Sequence, residues 1–298
     1  MAVMVTGASG VVGRAVIPAL VGRDPEVRAY VRRYDAAEEL RALGAKVAVG
    51  RADDLESLTE VLHGVFTVVH LIGGVNQPDD AAIDDANLRS VRVALDAARS
   101  AKARRFVLVS APGADPGATH PFLRAKGIAE QEVRASGLEF AIVRSTHVYG
   151  VGGLWFTAMV EGALEEPPLV VAPGDQEVAP VLADDLAAAI AAIDDAPDDP
   201  ADTFAIEGPD VVTATRFVRL LGGDVKQPEL LTPDDAARRL RSLLERSVTI
   251  RTTELFAMPS RADATDAAER FGVERTGLVE GLRRTLRRAD ELAGRLEG

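Results

Sequence analysis

The sequence predicts a doubly wound α/β fold built on a parallel sheet, followed by a smaller, mostly helical C-terminal part. Three observations lead there. Short β-branched runs alternate with longer amphipathic stretches over the first half of the chain. Two of those runs, Phe66–Ile72 and Arg105–Ser110, are almost wholly apolar, as strands covered by helices on both faces are. The first run ends directly in a glycine-spaced turn, Gly7-Ala8-Ser9-Gly10-Val11-Val12-Gly13, that opens a helix.

In chain order, strands are expected at Ala2–Thr6, Val27–Arg32, Lys46–Val49, Phe66–Ile72, Arg105–Ser110 and Phe140–Arg144. Helices fall between them at Val11–Gly22, Ala36–Leu43, Leu55–His63, Asp84–Ala101 and Phe122–Ser136. After Gly150 the alternation loosens. A helix is expected at Trp155–Leu164, then apolar runs at Leu169–Ala172 and Pro180–Leu182 and a helix at Asp184–Ile193. An Asp- and Pro-rich loop at Asp194–Asp202 leads to a strand at Thr203–Ile206. Helices follow at Ala214–Leu221, Pro233–Arg246, Ala262–Phe271 and Leu278–Leu296. The division predicted is a dinucleotide-binding domain over residues 1–150 and a substrate or partner region over 151–298, some of whose strands rejoin the main sheet.

Composition narrows the class. The 298 residues are 47% hydrophobic but only 4% aromatic, so Ala, Val and Leu must fill the core. A formal net charge of −12 argues against nucleic acid as a partner, since phosphate backbones attract basic surfaces. Cysteine is absent, which excludes disulfides, thiolate zinc sites and a cysteine nucleophile, and no His/Asp/Glu cluster suggests a metal. Met1-Ala2-Val3-Met4-Val5-Thr6-Gly7 has no basic leader, and no apolar run reaches the ~20 residues of a membrane span, so a cytoplasmic protein is expected.

The glycine turn carries the first chemistry. Gly7 supplies the sharp strand-to-helix turn, Gly10 lets a pyrophosphate approach the backbone, and Gly13 lets the helix lie close to the strand. The N–H groups near Val11 and Val12 then face the phosphates at the positive end of the helix dipole. With the flanking Thr6 and Ser9, these residues form a predicted Rossmann-type dinucleotide site.

The Thr-Gly-x-x-Gly-x-x-Gly spacing resembles the short-chain dehydrogenase/reductase superfamily, in its extended and atypical branches. Further matches are His70-Leu71-Ile72-Gly73 after the fourth strand, Arg105-Phe106-Val107-Leu108-Val109-Ser110 as the fifth, and Arg144-Ser145-Thr146-His147-Val148-Tyr149-Gly150 ending the sixth. Val181-Leu182-Ala183-Asp184-Asp185-Leu186-Ala187 and Phe271-Gly272-Val273 come later. Together they resemble the atypical group that holds NmrA-like regulators and the nucleotide-binding accessory subunit of respiratory complex I. The resemblance implies cofactor contacts at Leu71, Ile72 and Gly73.

Which nicotinamide cofactor is bound turns on the second strand, which ends Tyr30-Val31-Arg32-Arg33 with no acid for the ribose hydroxyls of NAD. Arg32 and Arg33 each offer a fork of donors to a 2′-phosphate, so NADP is expected in preference to NAD. The family usually places Asp and an aliphatic residue after the third strand to contact adenine, but here the order is Gly50-Arg51-Ala52-Asp53-Asp54-Leu55. Two assignments stay open: Arg51 stacks on adenine or reaches the 2′-phosphate, or Asp53 replaces the missing acid.

Catalysis is less regular. Short-chain reductases use Ser, Tyr and Lys, the last two four positions apart on one helical face. Ser110 and Lys126 occupy the serine and lysine positions, but the tyrosine position holds Phe122, which exchanges no proton. In a chain with four lysines, Lys46, Lys102, Lys126 and Lys226, a lysine retained here suggests a need for a compact, titratable ammonium. Isoflavone-reductase-like members of the atypical group have a catalytic lysine without that tyrosine, so the resemblance implies for Lys126 either cofactor binding or proton transfer through water. Secondary candidates are His120, His147 and Tyr149, while His63 is expected in solvent and His70 packed in its strand. The family often has proline at the Ser145 position, so this loop differs locally. Trp155, Phe156 and Met159, at helical spacing, read equally as the wall of an apolar pocket or as core. The aspartate pairs Asp79-Asp80, Asp84-Asp85, Asp198-Asp199 and Asp234-Asp235 read as helix caps and solvated loops.

Three functions compete. An NADP-dependent oxidoreductase with a quinone or activated-alkene acceptor is favoured by Ser110 and Lys126. A non-catalytic NADP(H)-binding redox sensor or assembly protein, with a protein partner or as a homo-oligomer, is favoured by Phe122. A sugar-nucleotide epimerase or dehydratase needs the tyrosine and ranks last. The expected ligand besides the cofactor is a small-molecule substrate or redox ligand.

Overall fold

The computed structural model describes residues 1–23, 26–196, 200–222 and 227–296. They form two compact units: Met1–Ser145 with Asp184–Ile206 and Asp263–Val273, and Thr146–Ala183 with Glu207–Ala262 and Glu274–Gly298.

Numbered along the whole chain, the strands of the first unit are β1 (Ala2–Thr6), β2 (Glu26–Val31), β3 (Lys46–Val49), β4 (Val65–His70), β5 (Arg105–Ser110), β6 (Glu139–Ser145), β11 (Asp202–Ile206) and β14 (Thr265–Asp266). They form a single sheet in the order β14-β11-β6-β5-β4-β1-β2-β3, every pairing parallel. The chain starts in the interior of the sheet, builds out to β3, then returns past β1 to build the other half. That reversal opens a crevice at the carboxyl ends of β1 and β4. Register makes the edge even, since Thr6 is the partner of Tyr30 on one side and of His70 on the other.

Helices cover both faces: α1 (Val11–Val21), α2 (Ala37–Ala42), α3 (Leu55–Val61), α4 (Asp80–Asp84), α5 (Ser90–Ser100) and α6 (Pro121–Arg134). Met4, Leu58, Val68, Leu95, Phe106 and Val133 share one buried cluster, joining β1, β4 and β5 to α3, α5 and α6. The helix expected at Asp84–Ala101 begins four residues earlier and contains a π-helical turn, Asp85–Arg89, between α4 and α5. Asp79 starts it by accepting from the Ala82 amide. Arg105 on β5 is 2% exposed. Its guanidinium donates to the carbonyls of Ile193 (3.0 Å), Asp194 (2.8 Å) and Ala196 (3.1 Å), closing the C-terminus of α8 (Ala183–Asp194).

The second unit has short strand pairs: β7 (Val148–Tyr149) with β10 (Val181–Leu182), β8 (Leu169–Val171) with β13 (Glu229–Leu231), and β9 (Glu177–Val178) with β12 (Val212–Thr213). Around them lie α7 (Leu154–Leu164), α9 (Ala214–Gly222), α10 (Pro233–Leu243), α11 (Ile250–Phe256) and α13 (Leu278–Leu296). The sequence hides α11 because four of the five residues in Thr249-Ile250-Arg251-Thr252-Thr253 are β-branched. The buried Thr253 hydroxyl makes the helix tolerable by donating to the Pro233 and Ile250 carbonyls. The helix expected over Ala262–Phe271 is only α12 (Ala267–Phe271). Asp266 caps it by accepting from the Ala268 and Glu269 amides, and the residues before it pair with β11 as β14.

Among the described residues no helix is long and apolar enough to cross a membrane. Asp234 and Asp235 both pair with Arg238, whereas Asp198-Asp199 lies outside the described residues.

The start of α1 gives a clean test of packing. A Cβ built on Gly13 would stand 2.4 Å from the Ala8 carbonyl oxygen. In open helix, Gly→Ala stabilises by up to ~1 kcal/mol, but overpacking here reverses the sign. Gly13→Ala is expected to lose about 1–3 kcal/mol in urea unfolding. An unchanged or raised midpoint would show that α1 does not need that approach.

Candidate functional site

The carboxyl ends of β1 to β4 surround a cavity of about 580 Å³, within the ~300–1,000 Å³ range of small-molecule sites. All of its lining belongs to the first unit. Gly7, with φ +70°, turns the chain out of β1. Its amide donates to the Tyr30 carbonyl (3.2 Å), and a Cβ there would stand 2.9 Å from the Ile72 nitrogen. Gly10 caps α1 with no side-chain acceptor, and the first turn carries no acid. The first amides of α1 therefore meet no side-chain acceptor of their own at the positive end of the helix. A Cβ on Gly10 would meet nothing closer than 3.4 Å, so what that glycine keeps clear is the cavity. This bare cradle and the cationic rim beside it fit a dinucleotide pyrophosphate.

The predicted residues divide by place. Gly7, Ser9, Gly10, Arg32, Asp53, Leu71, Ile72 and Gly73 line the cavity. Val11 and Val12 are half-buried at the start of α1, Gly13 packs under the turn, and Thr6 lies buried behind it. The two arginines part company: Arg32 faces the cavity with no ionic partner among the described residues, whereas Arg33 is turned to Asp35. Arg51 also lines the cavity, its guanidinium forked onto Asp53 with both contacts at 2.9 Å.

The opposite wall is the interrupted helix. Asn87, in its π turn, is fully buried. It accepts from the Gly74 amide (2.9 Å) and donates to the carbonyls of Gly74 (3.0 Å) and Ile83 (2.8 Å). Behind the cavity, His70 bridges Thr6 Oγ1 (3.0 Å to Nδ1) and Ser90 Oγ (3.3 Å to Nε2). Ser90 gives its own proton to the Ala86 carbonyl, which assigns the imidazole proton to Nε2 and makes Thr6 the donor to Nδ1. Burial, with help from the Lys126 charge, drops the His70 pKa to about 3, so it is a neutral strut.

Lys126 and Ser110 are both buried, on different partners. The Lys126 ammonium donates to the Val109 carbonyl (2.9 Å) and lies 3.1 Å from where a Cβ on Gly73 would stand. Burial lowers its pKa to about 8, against the opposing pull of Glu130. Phe122 is 8% exposed, with its ring centroid 5.9 Å from that ammonium. Ser110 donates to Glu130 Oε1 (2.7 Å), and the same carboxylate accepts from Arg144 (2.9 and 2.8 Å) and Arg134 (2.9 Å).

Of the secondary candidates, His120 is buried at the start of α6 and His63 is exposed. In the second unit His147 stacks on Trp155 (4.8 Å, 15°), and burial lowers its pKa to about 4. Tyr149 is fully buried against Phe156, and Trp155, Phe156 and Met159 fill that unit's core. Sequence reasoning missed Tyr30, Gln77, Asn87 and Arg89 around the cavity. One signal was available. Ile83, Asn87, Ser90 and Ala94 fall on one helical stripe, and two polar residues interrupt an otherwise core-facing face.

Comparison with known proteins agrees with this geometry. Residues 7–151 match the profile of a family described as NAD(P)H-binding. A (4-alkanoyl-5-oxo-2,5-dihydrofuran-3-yl)methyl phosphate reductase of Streptomyces griseus subsp. griseus is 30% identical over 79% of each chain. The mitochondrial NADH dehydrogenase [ubiquinone] 1 alpha subcomplex subunit 9 of Arabidopsis thaliana is 28% identical over 73% of this chain and 56% of its own. This chain spans 33% to 60% of the length of other curated relatives it matches. The fold is shared with Citrobacter sp. triphenylmethane reductase complexed with NADP(H), at TM-score 0.74 and 18% identity, covering 96% of this chain and 100% of that one. The chain belongs to the family described as NAD(P)H-binding.

Proposed function

We propose that this chain is an NADP(H)-dependent reductase acting on a conjugated, electron-poor small molecule of the activated-alkene or quinone class. The observation that carries the reading is the bare glycine cradle, with Arg32, which has no ionic partner among the described residues, at its rim and the buried ammonium of Lys126 behind Gly73. Gly7, Ser9, Gly10 and the amides of Val11 and Val12 hold the pyrophosphate, and Thr6 and Gly13 support that turn. Leu71, Ile72 and Gly73 border the nicotinamide half, and Arg32 takes the 2′-phosphate. When bound, the cofactor supplies a hydride. The second unit serves the substrate or a partner.

The residues near Lys126 define what the protein itself contributes. Phe122 removes the usual proton donor, so an unactivated carbonyl has no partner for the charge that develops on its oxygen. A conjugated acceptor spreads that charge and needs less. Lys126 has three protons on Nζ, one committed to the Val109 carbonyl, and at neutral pH it remains a cation that can balance an enolate. Ser110 gives its proton to Glu130 and so acts as a positioning residue for α6. One relative's name supports the acceptor class: the dihydrofuranone that it reduces carries a carbon–carbon double bond conjugated to carbonyl groups.

Three outcomes test this. Gly10→Ala is expected to leave unfolding within ~0.5 kcal/mol of wild type while weakening NADPH binding at least tenfold; equal affinity would remove the pyrophosphate from this turn. Arg32→Ala is expected to cut the NADPH-to-NADH affinity ratio about tenfold, one charge-assisted phosphate contact being worth that much; an unchanged ratio places the phosphate elsewhere. Turnover of NADPH with a panel of quinones and enones is expected to fall as pH rises through about 8, where Lys126 loses its proton, and Lys126→Met should be slow with no such step. Tight NADPH binding without turnover of any acceptor, in wild type and in Phe122→Tyr, would instead favour a redox sensor.

A further inference from the structure

The adenosine end of the cavity holds more charge than one phosphate-binding arginine requires. Val31 pairs with Val49 in the β2–β3 register, and the Gly50 amide donates to the Val31 carbonyl (2.9 Å). Arg32 and Arg51 therefore leave adjacent strand ends and face the same space. The Arg51 backbone is pinned, because the buried Tyr30 hydroxyl donates to its carbonyl (3.0 Å). Its side chain is 76% exposed and, among the described residues, is held by Asp53 alone. The next acid, Asp54, is spent on the N-terminus of α3, accepting from the Ser57 amide (3.0 Å). Arg89 completes the rim from the opposite wall, its own acid, Asp85, 3.7 Å away.

We infer that Arg51 is the second arm of the 2′-phosphate clamp, and that Asp53, by holding its guanidinium, sets how strongly the cavity prefers NADP(H) over NAD(H). This rests on the proposed NADP(H) reading. An exposed ion pair in water is worth little, so exchanging one carboxylate for a phosphate that carries close to two charges favours the phosphate. The same carboxylate lowers the affinity gained, because Arg51 must leave it first. With NAD(H), Arg51 stays on Asp53 and the pair neutralises itself. Asp53 is thus a specificity-determining residue that acts through Arg51.

The test is equilibrium affinity for NADPH and NADH, by nucleotide fluorescence, in wild type, Asp53→Ala, Arg51→Ala and the double variant, each with its melting curve checked. Both side chains are exposed, so the fold is expected to persist. Asp53→Ala is expected to tighten NADPH by up to about fivefold and leave NADH unchanged. Arg51→Ala is expected to weaken NADPH about tenfold and leave NADH unchanged. Adding Asp53→Ala to Arg51→Ala should change nothing further. An Asp53→Ala loss shared by NADPH and NADH in both backgrounds would overturn the inference, since the carboxylate would then touch the adenosine itself. An unchanged NADPH-to-NADH ratio in Arg51→Ala would overturn it equally, while leaving NADPH binding by the wild type, and hence the proposed function, standing. Failure of the wild type to bind either nucleotide would overturn both.

Discussion

The first strand-to-helix turn is possible only where side chains are absent, and the site follows from that constraint. Gly7 takes a left-handed conformation against the Leu71–Ile72 backbone, and Gly13 lies on the Ala8 carbonyl with no room for a Cβ. These two contacts bring β1, α1 and the end of β4 closer together than any other residue type permits. Gly10 is different in kind, because the protein would accept a side chain there. A fold that needs two of the glycines and a cavity that needs the third separate architecture from ligand binding within seven residues.

Behind the cavity, the buried groups Glu130, His70 and Lys126 each have hydrogen-bond partners. Glu130 is 1% exposed, and Arg144, Arg134 and Ser110 all donate to it. His70 survives as a neutral ring between two hydroxyls. Lys126 gives one proton to the Val109 carbonyl, and its ammonium lies directly behind the cavity-lining Gly73. The network thus spends Ser110 on holding α6 and leaves the lysine as the titratable group.

The central sheet was legible because parallel strands covered on both faces advertise themselves as apolar runs, and β1, β3 and β5 begin and end where the sequence puts them. The glycine cradle was legible for the same physical reason that it exists. The second unit was harder to read. Two-residue strands such as Val148–Tyr149 carry no periodicity, and α11 is written in β-branched residues that belong to strands elsewhere. Around the cavity, Arg32 and Arg33 were indistinguishable in sequence, and only the turn that brings Asp35 beneath Arg33 separates them. Arg51 and Asp53, two separate candidates in the sequence, share one ion pair.

Phe122 and Lys126 then bear on chemistry together. The buried Phe122 ring, 5.9 Å from the ammonium, carries no hydroxyl, and burial lowers the lysine's pKa to about 8. A tyrosine there would compete for that ammonium by hydrogen bonding. Its replacement leaves Lys126 bound to a backbone carbonyl and otherwise uncommitted. A phenylalanine at the tyrosine position and a lysine whose burial lowers its pKa to about 8 thus lie side by side, an arrangement that suits the proposed acceptors, whose charge a single cation can balance.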